Sequence, residues 1–477
     1  MARTVLPEDG FLAGLSSAFQ RVVPRGAVDL LDCGAVNARD KARLSVASLL
    51  ARYRSDSLLR NSLFLIATTI VNSGFGYLFW VAVARLFSPR TVGLGSAIIA
   101  ATTIVTLLAQ VGVGATLIQV LPQQKSPSAW WLSLWTVGAT ATVACLAFGL
   151  AAVLLLPAVS REFADLGNPT YVAVLALGTV GSTAGAVLDS AFVAERAAGK
   201  VLWRNAVVAV GKVVAVLLIA LVATRTVLGV LDAWALAAAL GVGVGGVMVM
   251  RMVDSLHGAA LLPLFRLARE FASGTAGNQF IGIGGALPPL LLPLLVTARL
   301  SAQQNAYFYT TWMMCAILLV VSPAIARSLF AEGVHSPSEL RATTRSALGI
   351  LGVLLLPSMV AFLLLGGAML STFGPGYESQ ASGLLTLIVF SAVPDAITNV
   401  YVARLQVERK FARAAFLNMT MGIGTLVLSW VLLPVLGITA VGWAWLGMQC
   451  GGCLIAGVHL ARGGTNATPQ RAPLAGC

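Results

Sequence analysis

The sequence predicts an all-α polytopic membrane protein with about twelve transmembrane helices in two six-helix lobes related by pseudo-two-fold symmetry. Three observations predict it. Apolar runs of spanning length recur along the chain. Lysine and arginine gather on alternate loops. Two short patterns of the first half return in the second.

The chain is 58% hydrophobic and 10% charged, against about 25% charged in an ordinary soluble domain, and its mean hydropathy is +0.88. A hydrocarbon layer about 30 Å thick takes about 20 apolar residues per helix. Such runs lie near 61–86, 91–121, 129–156, 170–194, 205–223, 230–252, 272–297, 303–329, 346–370, 381–403, 414–434 and 437–460. They are too long and too evenly apolar for barrel strands, which alternate over about ten residues.

The net charge of +13 falls between these runs, so it reads as a topology signal and predicts no nucleic-acid partner. With a cytoplasmic N-terminus, 25 of the 31 lysines and arginines lie on the inner side. Arg85, Arg90, Arg161, Arg225 and Arg299 lie outside, and Lys212 lies within a span. The asymmetry predicts a multi-pass protein of the cytoplasmic membrane with both termini inside.

The expected organisation is a basic N-terminal segment (1–60), an N-lobe (61–253), an inter-lobe linker (254–271), a C-lobe (272–460) and a tail (461–477). Within the first segment, 40–60 mixes Leu44, Leu49, Leu50 and Tyr53 with Lys41, Arg43, Arg52 and Arg54. That pattern predicts an amphipathic helix on the inner leaflet, either a topology anchor or a lipid- or partner-binding segment.

Chemistry motifs are few. The six cysteines imply no disulfide framework. Cys450-Gly-Gly-Cys453 sits inside an apolar run without a histidine cluster, which fits small-residue helix packing better than a metal or redox site. No phosphate-binding G-x-x-x-x-G-K-[ST] occurs, nor a metalloprotease or nucleophile-elbow motif. The outer loops are short. No enzyme activity, cofactor or metal is expected.

Two echoes divide the chain. "ARLFSPRTVGLGSA" (84–97) lies over "ARLSAQQNAYFYTT" (298–311) at an offset of 214. "VAERAAGKVLWRNA" (193–206) lies over "VARLQVERKFARAA" (402–415) at an offset of 209. Parallel repeats of this kind imply a pseudo-two-fold axis along the membrane normal, with a substrate path between the halves.

The segment 78–123, "LFWVAVARLFSPRTVGLGSAIIAATTIVTLLAQVGVGATLIQVLPQ", resembles the opening of polysaccharide-biosynthesis membrane proteins. These are the Wzx-like flippases of the multidrug/oligosaccharidyl-lipid/polysaccharide (MOP) superfamily, which also holds lipid II flippases and MATE drug antiporters. The resemblance implies a V-shaped pair of lobes around a central cavity. It implies flipping of a polyprenyl-pyrophosphate-linked oligosaccharide across the cytoplasmic membrane by alternating access. The implied partners are that lipid-linked oligosaccharide, membrane lipids, and a polysaccharide polymerase or glycosyltransferase. The alternative is an exporter of small compounds coupled to H+ or Na+, as in the MATE branch.

Candidate site residues follow from the substrate's charge. Arg85 and Arg299 end repeat-equivalent spans, and arginine binds phosphate through two parallel donors. They are phosphate contacts, or they snorkel to the interface. Lys212 lies within the fifth span, where an ionisable residue is a functional candidate. Asp189 in the fourth span reaches a similar depth, so the two form a structural pair or Lys212 meets substrate. Asp189 and Asp395, near-equivalent in the two halves, are ion-coupling candidates or polar residues of the cytoplasmic ends. Asn278, Gln279 and Asn399 serve either sugar hydroxyls or interhelical hydrogen bonds. The basic balance of Arg85, Arg299 and Lys212 favours an anionic substrate.

Overall fold

A computed structural model describes residues 57–124, 126–222, 225–253, 284–335 and 337–463. The chain divides into Met1–Leu63 and Phe64–Cys477. Of the first unit only the opening turns of one helix are described, so the packing below concerns the second. The expected amphipathic helix before residue 57, the linker 254–271, Asn278, Gln279 and the tail from 464 lie outside the described residues.

The described residues form an all-helical structure. The first half contains α1 (Ser57–Leu86), α2 (Pro89–Ala109), α3 (Val113–Val120), α4 (Pro127–Val159), α5 (Pro169–Ala194), α6 (Ala198–Val222) and α7 (Val227–Val253). The second contains α8 (Gly284–Arg299), α9 (Ala302–Leu319), α10 (Val321–His335), α11 (Leu340–Ser371), α12 (Tyr377–Val407), α13 (Phe411–Leu436) and α14 (Thr439–Gly463). Short 3-10 turns cover Leu121–Gln123, Arg161–Gly167 and Pro337–Glu339. Eleven helices, counting α9 and α10 as one, are long and apolar enough to cross a membrane, and α8 is a shorter apolar helix.

Side-chain caps explain many of the helix starts. Ser88, Ser126, Asn168 and Ser301 each accept a hydrogen bond from the backbone N–H two or three residues on. Pro89, Pro127 and Pro169 follow the first three, where a missing N–H costs nothing. The repeated Arg-Leu-(Phe)-Ser pattern is thereby explained. It closes one helix and caps the next across a two-residue link, at 87–88 and again at 300–301.

Two boundaries differ from expectation. The second span does not run unbroken to 121. It ends at Ala109, and Gly112 turns the chain through φ 79° before α3, a conformation natural to glycine. The fifth span begins at Ala198 rather than 205, which brings Arg204 inside a helix.

Helix ends define two poles. The Arg85 pole gathers the α1–α2, α4–α5, α6–α7, α8–α9, α11–α12 and α13–α14 links. The Lys410 pole gathers the links at 124–126, 195–197, 336–339 and 408–410. One apolar core crosses between the halves on the Arg85 side. Phe79, Trp80, Val83 and Val92 join Leu292, Val296, Phe308 and Phe373 there. A separate core around Trp130, Leu117 and Phe192 holds the other end of the N-lobe.

Candidate transport site

Polar contacts between the lobes fall in the Arg85 half. Asn305 of α9 donates its side-chain amide to Gly93 O at 2.7 Å and to Ser96 Oγ at 3.1 Å. Here α2 and α9, the repeat-equivalent second and eighth spans, cross at close range. A Cβ on Gly93 would lie 1.6 Å from Ala302 O, so the missing side chain sets the crossing distance. Tyr77 and Thr372 share a hydroxyl contact at 3.1 Å. Trp80 meets Tyr309, and Tyr77 meets Phe373, edge to face. These inter-lobe hydrogen bonds and ring contacts lie toward the Arg85 pole.

Arg85 belongs to this closure. Its Nε donates to Thr372 O at 2.5 Å, and an Nη donates to Ser371 O at 3.1 Å. Those are the last carbonyl of α11 and that of its C-cap residue; the first also accepts from Gly374 N at 3.2 Å. A cation at a helix C-terminus also meets the negative end of the dipole. Arg299 does something else. Its guanidinium lies 4.7 Å over the Trp430 ring and donates at 3.4 Å to Trp430 O, within its own lobe. The two arginines hold matched sequence positions but make unmatched contacts.

Asp189 does not pair with Lys212. Arg204 Nε and an Nη bond its two oxygens at 2.7 and 2.5 Å, and Asn205 Nδ2 adds a third bond at 3.0 Å. The reason is level. Asp189 and Arg204 lie almost equally far from the α5–α6 link, whereas Lys212 lies eight residues, about 12 Å, deeper. The Arg204 stem passes between glycines. A Cβ on Gly185 would come within 2.7 Å of an Nη, and one on Gly245 within 3.0 Å of Cδ. Asn72 of α1 extends the network by donating to Asn205 Oδ1 at 3.3 Å.

Lys212 stands apart. It makes no ion pair or hydrogen bond among the described residues, and its Nζ lies 5.6 Å from the Phe79 ring centroid. Phe79 belongs to the core shared by the lobes. A lysine without a counter-charge among the described residues is thus held within a span, against α1, next to the inter-lobe closure.

The C-lobe carboxylate has a different environment. Asp395 is buried and accepts from Ser322 Oγ of α10. Asn399 donates to Ser322 Oγ at 3.1 Å and to Asp395 O at 3.0 Å. The structure therefore brings an ion-coupling candidate and a sugar-contact candidate into one cluster, and no described cation neutralises it. The near-equivalence of Asp189 and Asp395 does not extend to their partners.

Four participants escaped the sequence reading. The apolar run near 205–223 leaves Arg204 in the preceding loop. Ser322 and Asn305 carry no local signal, because their partners lie 73 and more than 200 residues away. Asp232, half-buried five residues into α7, was detectable as a carboxylate in an apolar run.

No protein-family model matches the sequence, and no curated protein matches it. Solved structures do. An inward-facing multidrug resistance MATE family transporter of the MOP superfamily matches with a TM-score of 0.64 and 13% identity, over 86% of this chain and 100% of that one. The lipid II flippase MurJ, in an inward closed conformation, matches with a TM-score of 0.66 and 11% identity, over 84% and 87%. An outward-facing MATE family transporter matches at 0.53 and 14%, over 86% and 96%. The all-helical, two-lobe architecture described above is the fold of these solved structures.

Proposed function

We propose that the protein flips a polyprenyl-pyrophosphate-linked oligosaccharide across the cytoplasmic membrane by alternating access between its lobes. The observation that carries this reading is Lys212, a cation within a span that has no counter-charge among the described residues and lies beside the inter-lobe seam. Hiding a pyrophosphate from hydrocarbon is costly, and an unpaired ammonium in the path lowers that cost. The N-lobe offers no equivalent site for a cationic substrate at Asp189, because Arg204 neutralises it.

The one-sided closure supports alternating access. With the lysine and arginine asymmetry placing the Arg85 pole outside, this conformation is sealed outward. Its higher similarity to the inward-facing transporter than to the outward-facing one agrees. Arg85 then acts as an outer latch, released when the lobes rock, and meets the departing phosphate only after it leaves Ser371 and Thr372. Arg299 remains a phosphate candidate on the same side, stacked on Trp430 in this state.

Asp395 is the proposed coupling group, since it lacks a cation that Asp189 has. That cluster is also what an ion-coupled exporter of small compounds would need. Reconstitution separates the two readings. Proteoliposomes should move a polyprenyl-pyrophosphate-linked sugar to an externally added glycosidase. Export of cationic dyes with no movement of the lipid-linked sugar would establish the exporter reading instead.

A further inference from the structure

We infer that the N-lobe carries a resident-lipid site, a slot between α2, α4 and α5 that takes one acyl chain of an anionic phospholipid, with the phosphate at Arg161. The slot encloses about 210 Å³. It follows α4 from Cys145 to Leu156, about 16 Å at the helical rise. Gly149 keeps its middle open, since a Cβ there would meet only Val105, at 4.0 Å. Leu146 and Leu150, 49% and 60% exposed, border the slot on the outer, lipid-facing surface.

The lining decides what enters. Its polar groups are already engaged. Thr102 donates to Ile99 O, Thr179 donates to Leu175 O, and Cys145 Sγ accepts from Thr183. Nothing remains for a polar ligand, and an apolar cavity takes apolar occupants. In a bilayer the abundant apolar occupant is a lipid tail. The small residues Ala101, Gly149 and Ala176 shape a narrow passage that suits an unbranched acyl chain better than a methyl-branched prenyl chain.

Charge at one end names the headgroup. Arg161 lies five residues past Leu156, beyond the end of α4, exposed and with no ion pair among the described residues. Arg90, 71% exposed, stands nearby through its bond to Glu162 at 3.2 Å. A phosphate at this level has a cation to meet. The slot also backs α2, the helix that carries Gly93 across to the other lobe. This site does not depend on which substrate the protein moves.

The test is native mass spectrometry of the purified full chain, delipidated and then incubated with phosphatidylglycerol or phosphatidylcholine. Wild type should retain one phosphatidylglycerol. Gly149→Leu and Ala176→Leu, each scored only as a monodisperse sample, should lose it. Arg161→Gln should weaken phosphatidylglycerol retention about fivefold, and phosphatidylcholine, whose choline offsets its phosphate, by a smaller factor. Undiminished retention in both filled variants would overturn the proposal. So would displacement of the phospholipid by polyprenyl phosphate at equal concentration, which would make the slot a carrier-lipid site.

Discussion

The side-chain amide of Asn305 in the C-lobe donates to the backbone oxygen of Gly93 in the N-lobe at 2.7 Å. The bond forms where repeat-equivalent helices α2 and α9 touch. Gly93→Ala would place a methyl 1.6 Å from Ala302 O, an atom of the backbone that no rotamer change can move. The lobes must therefore separate at the Arg85 pole. Spin labels at Thr170 and Ser379, both exposed, in a cysteine-free background should report a longer distance in Gly93→Ala than in the parent. An unchanged distance distribution would show that the crossing does not hold the pole shut.

Arg85 supplies the second part of the closure. Removing a hydrogen bond to a charged group costs about 1.5–3 kcal/mol. Arg85→Gln should therefore shift the inter-lobe equilibrium roughly tenfold or more toward an open Arg85 pole. Arg85→Lys should shift it less, because the charge still meets the end of the α11 dipole. The same spin-label pair measures both. Equal behaviour of lysine and glutamine would remove the dipole contribution. Wild-type behaviour of both would reduce Arg85 to an interface residue.

Asp189 and Arg204 are predicted to stabilise the N-lobe rather than to carry transport. Breaking a fully buried pair from one side costs about 3–5 kcal/mol, and the partial exposure of Asp189 puts this pair below that range. Asp189→Asn and Arg204→Gln should each lower the melting temperature of the purified protein. The double variant should recover part of the loss, since no buried charge is left unpaired. Transport per inserted molecule should be retained in the double variant. Its complete loss at normal stability would return Asp189 to the list of coupling groups.

Much of this architecture was legible in the sequence. Span positions follow from apolar length, and the Arg-Leu-Ser repeat marked the turns that bring α2 and α9 together. The break after Ala109 was hidden because glycines at 112 and 114 hardly lower the hydropathy of a window. Arg204 was misplaced because a charged residue reads as loop. Its partner Asp189, just across the α5–α6 link, lets it enter the helix. The Asp395–Ser322–Asn399 cluster was only half visible. Asn399 is one turn from Asp395, but Ser322 reaches it from another helix and leaves no local trace.

Asp395→Asn keeps the size and the contact with Ser322 while removing the carboxylate. Insertion and abundance should stay near wild type. Transport should lose its dependence on an imposed proton or sodium gradient, and Ser322→Ala should weaken that dependence partially. Wild-type gradient dependence in Asp395→Asn would place coupling elsewhere, with Asp232 the next carboxylate to examine.

The most direct test of the anionic-substrate reading is a charge series at Lys212, assayed as flipping of a polyprenyl-pyrophosphate-linked sugar in proteoliposomes per unit of inserted protein. A charge-assisted contact to phosphate contributes about 1.5–3 kcal/mol, so Lys212→Gln should reduce flipping about tenfold or more. Lys212→Arg should retain much of the activity, and the fold of both variants should match wild type by melting temperature. Unimpaired flipping by Lys212→Gln at normal abundance would contradict the account.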